Sequence, residues 1–99
     1  MRIKIHSIHF DADQKLEGYI NSKVNKLDQF FDNIIDGEVY LKLDKAENKE
    51  NKVAEIKISL PGNELFVKKQ CKSFEEATDT AVDALRRQIK KYKEKLRQH

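Results

Sequence analysis

The chain has 99 residues and a mass of 11.6 kDa, a size that accommodates one domain. Hydrophobic residues make up 38% of it and charged residues 37%, so the core must be thin. The apolar runs are too short for a membrane span or a secretory signal, and a single cysteine can form no internal disulfide. We therefore expect residues 1–99 to form one cytoplasmic domain that depends on packing alone, with neither a cofactor nor a metal.

Positive charge is concentrated at the C-terminal end of the chain. Residues 86–99 contain seven cations and one carboxylate, a net charge of +6, so the remaining residues sum to −3. A localised positive field on an acidic body favours a polyanion bound at one face. The negative end of a helix dipole attracts some of these cations, but seven exceed what it requires. Nucleic acid is the first expected partner.

The N-terminal third of the chain predicts a strand followed by a helix. Residues 2–10 alternate polar and apolar with a phase shift after Ser7, which indicates a strand that ends or bulges there. Asp13 is the expected N-cap of an amphipathic helix, and Gly18 within it suggests close approach to a neighbouring element. Asp36-Gly37 is expected to break the helical spacing of apolar residues. The apolar positions of this helix are Leu16, Ile20, Val24, Leu27 and Phe31, with Tyr19 and Phe30 beside them.

Three segments in the middle of the chain alternate with the period of a strand. Residues 44–52 between the first two have no apolar periodicity and predict a mobile surface hairpin loop, whereas Pro61-Gly62-Asn63 predicts a tight turn. The apolar positions are Val39, Leu41 and Leu43, then Ala54, Ile56, Ile58 and Leu60, then Leu65 and Val67, with Lys69 and Cys71 in the same parity.

The C-terminal segment predicts a second helix, which opens with the capping box Ser73-Phe74-Glu75-Glu76. Its apolar stripe comprises Phe74, Ala77, Ala81, Leu85, Ile89, Tyr92 and Leu96. The resulting order β-α-β-β-β-α predicts an α+β fold in which a four-stranded mixed sheet carries both helices on one face. Without its first strand, this order is that of a double-stranded RNA-binding domain; an RNA-recognition motif fits less well, because the chain has a helix where that motif ends in a strand.

The cations of the second helix form two adjacent stripes turned away from its apolar seam. Lysines of the first helix extend this surface if both helices share one sheet face. Lysine and arginine at this density follow phosphates rather than read bases, which in RNA favours recognition of shape. The candidate RNA-binding residues are Lys23, Lys26, Arg86, Arg87, Lys90, Lys91, Lys93 and Lys95.

Catalytic chemistry has little support in the sequence. His6 and His9 would lie on opposite faces of a strand unless the bulge realigns them, so a metal site there is not expected. Cys71 is more simply a half-buried inert thiol than a nucleophile. There is no glycine-rich phosphate loop. We therefore do not expect an enzyme.

Two segments, residues 22–32 and 84–99, resemble the ribosome hibernation-promoting factor and ribosome-associated inhibitor family, also called the sigma-54 modulation protein family. The family patterns are A-K-x-x-K-L-x-x-Y/F-F in the first helix and R-Q-L-x-K-x-K-x-K in the last. The matching residues are Lys23, Lys26, Leu27, Phe30 and Phe31, and then Arg87, Gln88, Ile89, Lys91, Lys93 and Lys95. One departure is Glu75, which stands where the family usually has tyrosine.

This resemblance implies a stress or stationary-phase protein that binds the decoding region of the small ribosomal subunit and blocks mRNA and tRNA. Its implied partners are the small subunit with its rRNA and a second hibernation factor, and it implies no catalysis. The chain looks like the short, hibernation-promoting kind, which we expect to be monomeric off the ribosome. The alternatives left open are a general double-stranded RNA-binding module, a small enzyme and a protein-interaction adaptor.

Overall fold

Four strands and two helices follow one another in the computed structural model, which describes residues 1–44 and 49–97. The elements in chain order are β1 (Arg2–Ser7), α1 (Gln14–Asn25), a 3₁₀ helix (Lys26–Gln29), β2 (Asp36–Leu43), β3 (Lys52–Leu60), β4 (Asn63–Cys71) and α2 (Phe74–Arg97). The strands lie side by side in the order β1-β2-β3-β4. β1 is parallel to β2, and the other two pairs are antiparallel. The predicted β-α-β-β-β-α order and mixed sheet are confirmed.

Both helices cover the same face of the sheet, because alternate strand residues and the apolar stripes of α1 and α2 join one core. Its fully buried large aliphatic side chains are Ile20, Val24, Leu27, Val39, Leu41, Ile56, Ile58, Leu85 and Ile89. The opposite face carries polar and aromatic side chains, as the period of two predicts. Phe66 on β4, for example, leaves 51% of its surface exposed there.

β1 ends at Ser7, as the shift in the polar and apolar alternation predicts. The backbone N–H of Ile8 still donates to the carbonyl of Leu41 at 2.9 Å. His9 then adopts a left-handed conformation with φ of 66°, which turns the chain away from the sheet. The phase shift therefore marks the exit from the strand.

α1 begins at the predicted cap, with the Asp13 carboxylate accepting from the backbone N–H of Leu16 at 2.8 Å. The helix is shorter than expected, because the α-helical turns end at Asn25 and a 3₁₀ turn follows. Phe30 terminates this 3₁₀ helix, and Phe31 lies beyond it, edge-on to the ring of Tyr92 at 5.5 Å. The tighter turn keeps Leu27 buried and directs Phe30 toward α2.

The expectation for Gly18 was wrong. A Cβ added to Gly18 would meet nothing within 4 Å, so no neighbouring element approaches it closely. The helical pattern has ended before Asp36 and Gly37, as expected, and both residues lie within β2, because β1 and β3 pair with them. The turn at Pro61-Gly62 is confirmed, with a φ of +72° at Gly62 that suits glycine.

The connection between β2 and β3 is shorter than predicted, because Lys52 already belongs to β3. The backbone N–H of Asp44 donates to the carbonyl of Asn51 at 2.8 Å and so begins to close the hairpin. Residues 45–48 of the predicted mobile loop lie outside the described residues. Leu43, at the end of β2, is exposed rather than part of the core.

α2 begins as the capping box predicts, since the backbone N–H of Glu76 donates to the hydroxyl of Ser73 at 3.0 Å. Its apolar stripe is buried from Phe74 to Ile89, but Leu96 is 47% exposed. The prediction that Leu96 joins the core was wrong, because the last turns of α2 extend past the elements it packs against. None of the helices in the described part of the chain is long and apolar enough to cross a membrane.

Candidate nucleic-acid interface

A groove of about 490 Å³ runs along the C-terminal half of α2. Most of its wall is cationic, and the ring of Phe30 closes one side. The lining residues are Phe30, Arg86, Arg87, Ile89, Lys90, Lys93, Glu94 and Arg97. Residues spaced three and four apart on α2 thus meet at one surface, as their helical spacing predicted.

A second groove of about 220 Å³ lies between α2 and the end of α1. It brings Lys23 and Lys26 to the same side of the molecule as the cations of α2. Its other lining residues are Gln29, Phe30, Asp79, Val82, Asp83 and Arg86. The basic surface therefore spans both helices, because they share one face of the sheet.

Phe30 and Arg86 form a ridge between the two grooves, since both residues line both of them. The Arg86 guanidinium lies 5.8 Å from the centre of the Phe30 ring, within range of a cation–π contact. Lys93 donates from Nζ to the Phe30 carbonyl at 2.9 Å, so the end of the 3₁₀ helix is tied to α2. The Phe30 side chain nevertheless stays 37% exposed.

Asp79 joins the two helices on the side of the second groove. The Tyr19 hydroxyl donates to its carboxylate at 2.8 Å, and Lys23 Nζ lies 3.7 Å away. The hydrogen bond to this carboxylate, followed by burial, raises the pKa of Tyr19 above its ordinary value. Lys23 also lies 5.5 Å from the centre of the Tyr19 ring. Its charge is thus partly balanced before any partner binds.

Asp83 balances two further cations. It lies 3.3 Å from Arg86 and 3.4 Å from Arg87, at the i+3 and i+4 positions of α2. Lys93, as described above, is committed to a backbone carbonyl. These interactions divide the predicted site into cations with an internal partner and cations without one.

Five cations of this surface have no hydrogen-bond or ion-pair partner within residues 1–44 and 49–97. These are Lys26, Lys90, Lys91, Lys95 and Arg97, which are all exposed. Lys91 and Lys95 line neither of the two grooves and lie on the adjacent stripe of α2. Free, exposed cations can pair with phosphates without first giving up an internal contact, so they are the strongest candidates for contact with a polyanion.

The sequence predicted the cations of this surface but not the residues that contact them. Asp83 could have been found from its spacing to Arg86 and Arg87, which is that of a helical ion pair. Asp79 could not, because its partner Tyr19 lies 60 residues away in the chain. Phe30 was placed beside the apolar stripe, and nothing in its spacing predicted that it would separate two cationic grooves.

The open face of the sheet is electrostatically different, because its carboxylates Glu38 and Glu55 pair with neighbouring cations. Glu38 accepts from Tyr40 at 2.8 Å and lies 3.7 Å from Lys57 and 3.2 Å from His6. The hydrogen bond from Tyr40 is the main reason that the pKa of Glu38 is lowered, with Lys57 and His6 acting in the same direction. His6 also stacks on Tyr40 with their ring centres 4.8 Å apart. This face carries no comparable excess of positive charge.

The discounted catalytic candidates are not assembled into a site. His6 belongs to β1, and His9 follows the end of that strand with a left-handed backbone. Cys71 is a half-buried free thiol at the end of β4. In the described parts of the chain, no three His, Cys, Asp or Glu side chains come together as metal ligands would.

Comparison with known proteins assigns this chain to a family. The model of the family described as "Sigma 54 modulation protein / S30EA ribosomal protein" matches residues 3–97. The chain belongs to this family. Membership agrees with the resemblance seen in the two helical motifs, and it confirms that the resemblance extends to nearly the whole sequence.

Curated S30EA relatives include proteins named ribosome hibernation promoting factor. The protein from Pseudomonas putida is 30% identical over 95 residues, which cover 96% of this chain and 89% of the relative. The proteins from Klebsiella oxytoca and Escherichia coli K12 are each 28% identical over 99 residues, the full length of both chains.

Solved structures show the same fold. The N-terminal domain of Protein Y from Thermus thermophilus superposes with a TM-score of 0.81 at 28% identity, covering 93% of this chain and 99% of that one. A ribosomal subunit interface protein from Coxiella burnetii superposes with a TM-score of 0.83 at 20% identity, covering 94% and 98%. The α+β architecture described above is therefore that of the S30EA family.

Proposed function

We propose that this S30EA protein is a ribosome hibernation factor that binds the decoding region of the small ribosomal subunit and represses translation by blocking mRNA and tRNA. The observation that carries the proposal is the cationic surface shared by α1 and α2, with its five cations that have no partner among the described residues. The relatives named ribosome hibernation promoting factor support the ribosome as the partner.

The geometry suits attachment to folded RNA. α2 is a rigid 24-residue helix, so its cations keep fixed spacings and can meet a fixed set of phosphates. Each phosphate contact releases counterions, and the affinity therefore does not require base reading. The proposed rRNA-binding residues are Lys23, Lys26, Arg86, Arg87, Lys90, Lys91, Lys93 and Lys95.

Repression then follows from occupancy rather than chemistry. A protein that fills a channel removes one ribosome for each bound copy, so inhibition is stoichiometric. We propose that a single domain performs this role as a monomer in the cytoplasm, with no enzymatic step. A second hibernation factor is a further proposed partner.

Competition on purified ribosomal subunits tests this function. We expect the protein to cosediment with small subunits but not with large subunits, and to prevent tRNA from binding small subunits programmed with mRNA. Undiminished tRNA binding at saturation would overturn the decoding-region assignment. Equal affinity for small subunits and for a free RNA duplex would instead favour the general double-stranded RNA-binding module.

Titration into a cell-free translation reaction tests stoichiometry. Inhibition is expected to saturate near one copy per ribosome when binding is tight. Strong inhibition at a small fraction of that ratio would show that each copy inactivates many ribosomes. That result would favour an enzyme over a factor that acts by occupying the ribosome.

A further inference from the structure

We propose that Phe30 and Arg86 form a binding site for one unpaired nucleotide of RNA, so that the interface prefers a bulged or looped strand to an uninterrupted duplex. This inference rests on the proposed function, because it specifies which RNA feature the same surface takes. The ridge that separates the two cationic grooves carries the argument.

The ridge combines the two side chains that stack on bases. An aromatic ring and a guanidinium plane are the usual platforms for splayed-out bases in RNA-binding proteins. Phe30 is 37% exposed although it is a large apolar side chain, and Arg86 lies 5.8 Å from its ring centre. Lys93 donates to the backbone carbonyl of Phe30 at 2.9 Å, so the backbone that carries the ring is tied to α2 before binding.

The charges on both sides of the ridge suit the flanking phosphates. Lys90 and Arg97 lie in the groove on one side, and Lys26 lies in the groove on the other. None of these three has an internal partner among the described residues. An RNA strand that follows both grooves must pass over the Phe30 ring, where a base inside a duplex cannot reach it. An unpaired nucleotide can place its base there while its neighbours stay on the cations.

The open sheet face also exposes a phenylalanine, and it provides a matched control. Phe66 is 51% exposed on β4, away from both grooves. The residue opposite it on β3 is Lys57, whose Nζ lies 3.7 Å from the carboxylate of Glu38. A Phe66→Leu variant loses the same ring and keeps the cationic surface.

Affinity for two RNA hairpins tests the site, one with an uninterrupted stem and one with the same stem and a single bulged adenosine. The wild-type protein is expected to bind the bulged hairpin more tightly, by about 5- to 100-fold. Phe30→Leu should lose this preference and retain its affinity for the uninterrupted stem. Phe30→Trp should keep the preference, and Phe66→Leu should resemble the wild type. Circular dichroism melts verify that each variant is folded. If Phe30→Leu does not fold, Arg86→Gln is tested in its place and should weaken the preference for the bulged hairpin.

Four outcomes would overturn the inference. They are equal wild-type affinity for the two hairpins, a preference that survives in Phe30→Leu, a preference that depends on Phe66, and no binding to either hairpin. In all these cases cosedimentation with small subunits is measured in parallel, and its persistence would leave the proposed function standing.

Discussion

The phenol of Tyr19 on α1 donates a hydrogen bond to the carboxylate of Asp79 on α2, with 2.8 Å to each oxygen. This contact joins the two helices that carry the cationic surface, and Lys23 adds a charge at 3.7 Å from the same carboxylate. Hydrogen bonds to charged acceptors are stronger than neutral ones. The relative position of the two grooves therefore depends on a polar contact as well as on the core.

Replacing Tyr19 with Phe is expected to lower the free energy of unfolding by about 1 kcal/mol at neutral pH. Since the folded-state pKa of Tyr19 is raised, its stabilisation is present below the ordinary value of 10.0 and is lost as the pH rises through the folded-state value. Urea unfolding at neutral and strongly alkaline pH measures both effects.

Tyr92→Phe is the control for this experiment. The Tyr92 hydroxyl lies 3.4 Å from the carbonyl of Pro61, a long contact to a neutral acceptor, so its removal should cost less. Equal destabilisation by the two variants would contradict a special role for the Tyr19–Asp79 contact.

Gly18 offers a stabilising substitution. A Cβ at this helical position meets open space, so Gly18→Ala should raise the free energy of unfolding by about 0.5–1 kcal/mol. Gly62→Ala should instead lower it by about 1–2 kcal/mol, because the φ of +72° is unfavourable for a side chain. Thermal melts compare the two. A lower melting temperature for Gly18→Ala would show that the helix is tightly packed at this position after all.

These glycines illustrate where the sequence was informative. The periods of two and 3.6 residues predicted every strand and both helices, because each element buries one face in a shared core. They could not predict that Asp36 and Gly37 extend β2, since that depends on pairing with β1 and β3. The end of α1 was also missed, because a 3₁₀ turn buries Leu27 much as an α-helical turn would.

The candidate site was predictable to a similar degree. Helical spacing placed Arg86, Lys90 and Lys93 on one surface, which the groove along α2 confirms. Which of these cations lack a partner among the described residues depends on contacts between distant segments, such as Lys93 with Phe30, which are 63 residues apart. A pattern of neighbouring residues in the sequence cannot predict a contact between segments so far apart.

Glu38 should make the stability of the sheet depend on pH in the acid range. Its folded-state pKa is lowered by the hydrogen bond from Tyr40 and by Lys57, so its stabilisation is present above the unfolded-state pKa and is lost as the pH falls through the folded-state value. Glu38→Gln should therefore be less stable than the wild type at neutral pH and equally stable in strong acid.

Glu64→Gln is the matched control for Glu38, since Glu64 is exposed on the same face of the sheet, on β4. Denaturant unfolding across the acid range measures both variants. A difference between Glu38→Gln and the wild type that persists unchanged in strong acid would contradict the charge-based account.

Lys23 on α1 and Lys26 at the start of the 3₁₀ helix should respond differently to charge reversal. Lys26 has no internal partner in the described residues, so Lys26→Glu should weaken binding to small subunits without lowering the melting temperature. Lys23→Glu should reduce both, because it places a carboxylate beside Asp79. Lys15→Glu, exposed at the start of the same helix, serves as the control. A Lys26→Glu variant that binds as tightly as Lys15→Glu would confine the interface to α2.

The dependence of small-subunit affinity on salt tests the cationic surface most directly. The variant to compare with the wild type replaces with Gln three exposed cations of α2 that have no partner in the part of the chain that the structure describes, Lys90, Lys91 and Lys95. A control variant replaces the exposed cations Lys4, Lys68 and Lys72, which lie outside the two grooves, and removes the same charge.

We expect the logarithm of the wild-type affinity to fall linearly and steeply with the logarithm of the salt concentration. The α2 variant should bind more weakly, with a slope that is shallower by about 0.7–0.9 for each phosphate that the variant no longer neutralises. The control variant should keep the wild-type slope, and all three proteins should melt at similar temperatures. Equal slopes for the wild type and the α2 variant would contradict the account, because the cations of α2 would then not be neutralising phosphates.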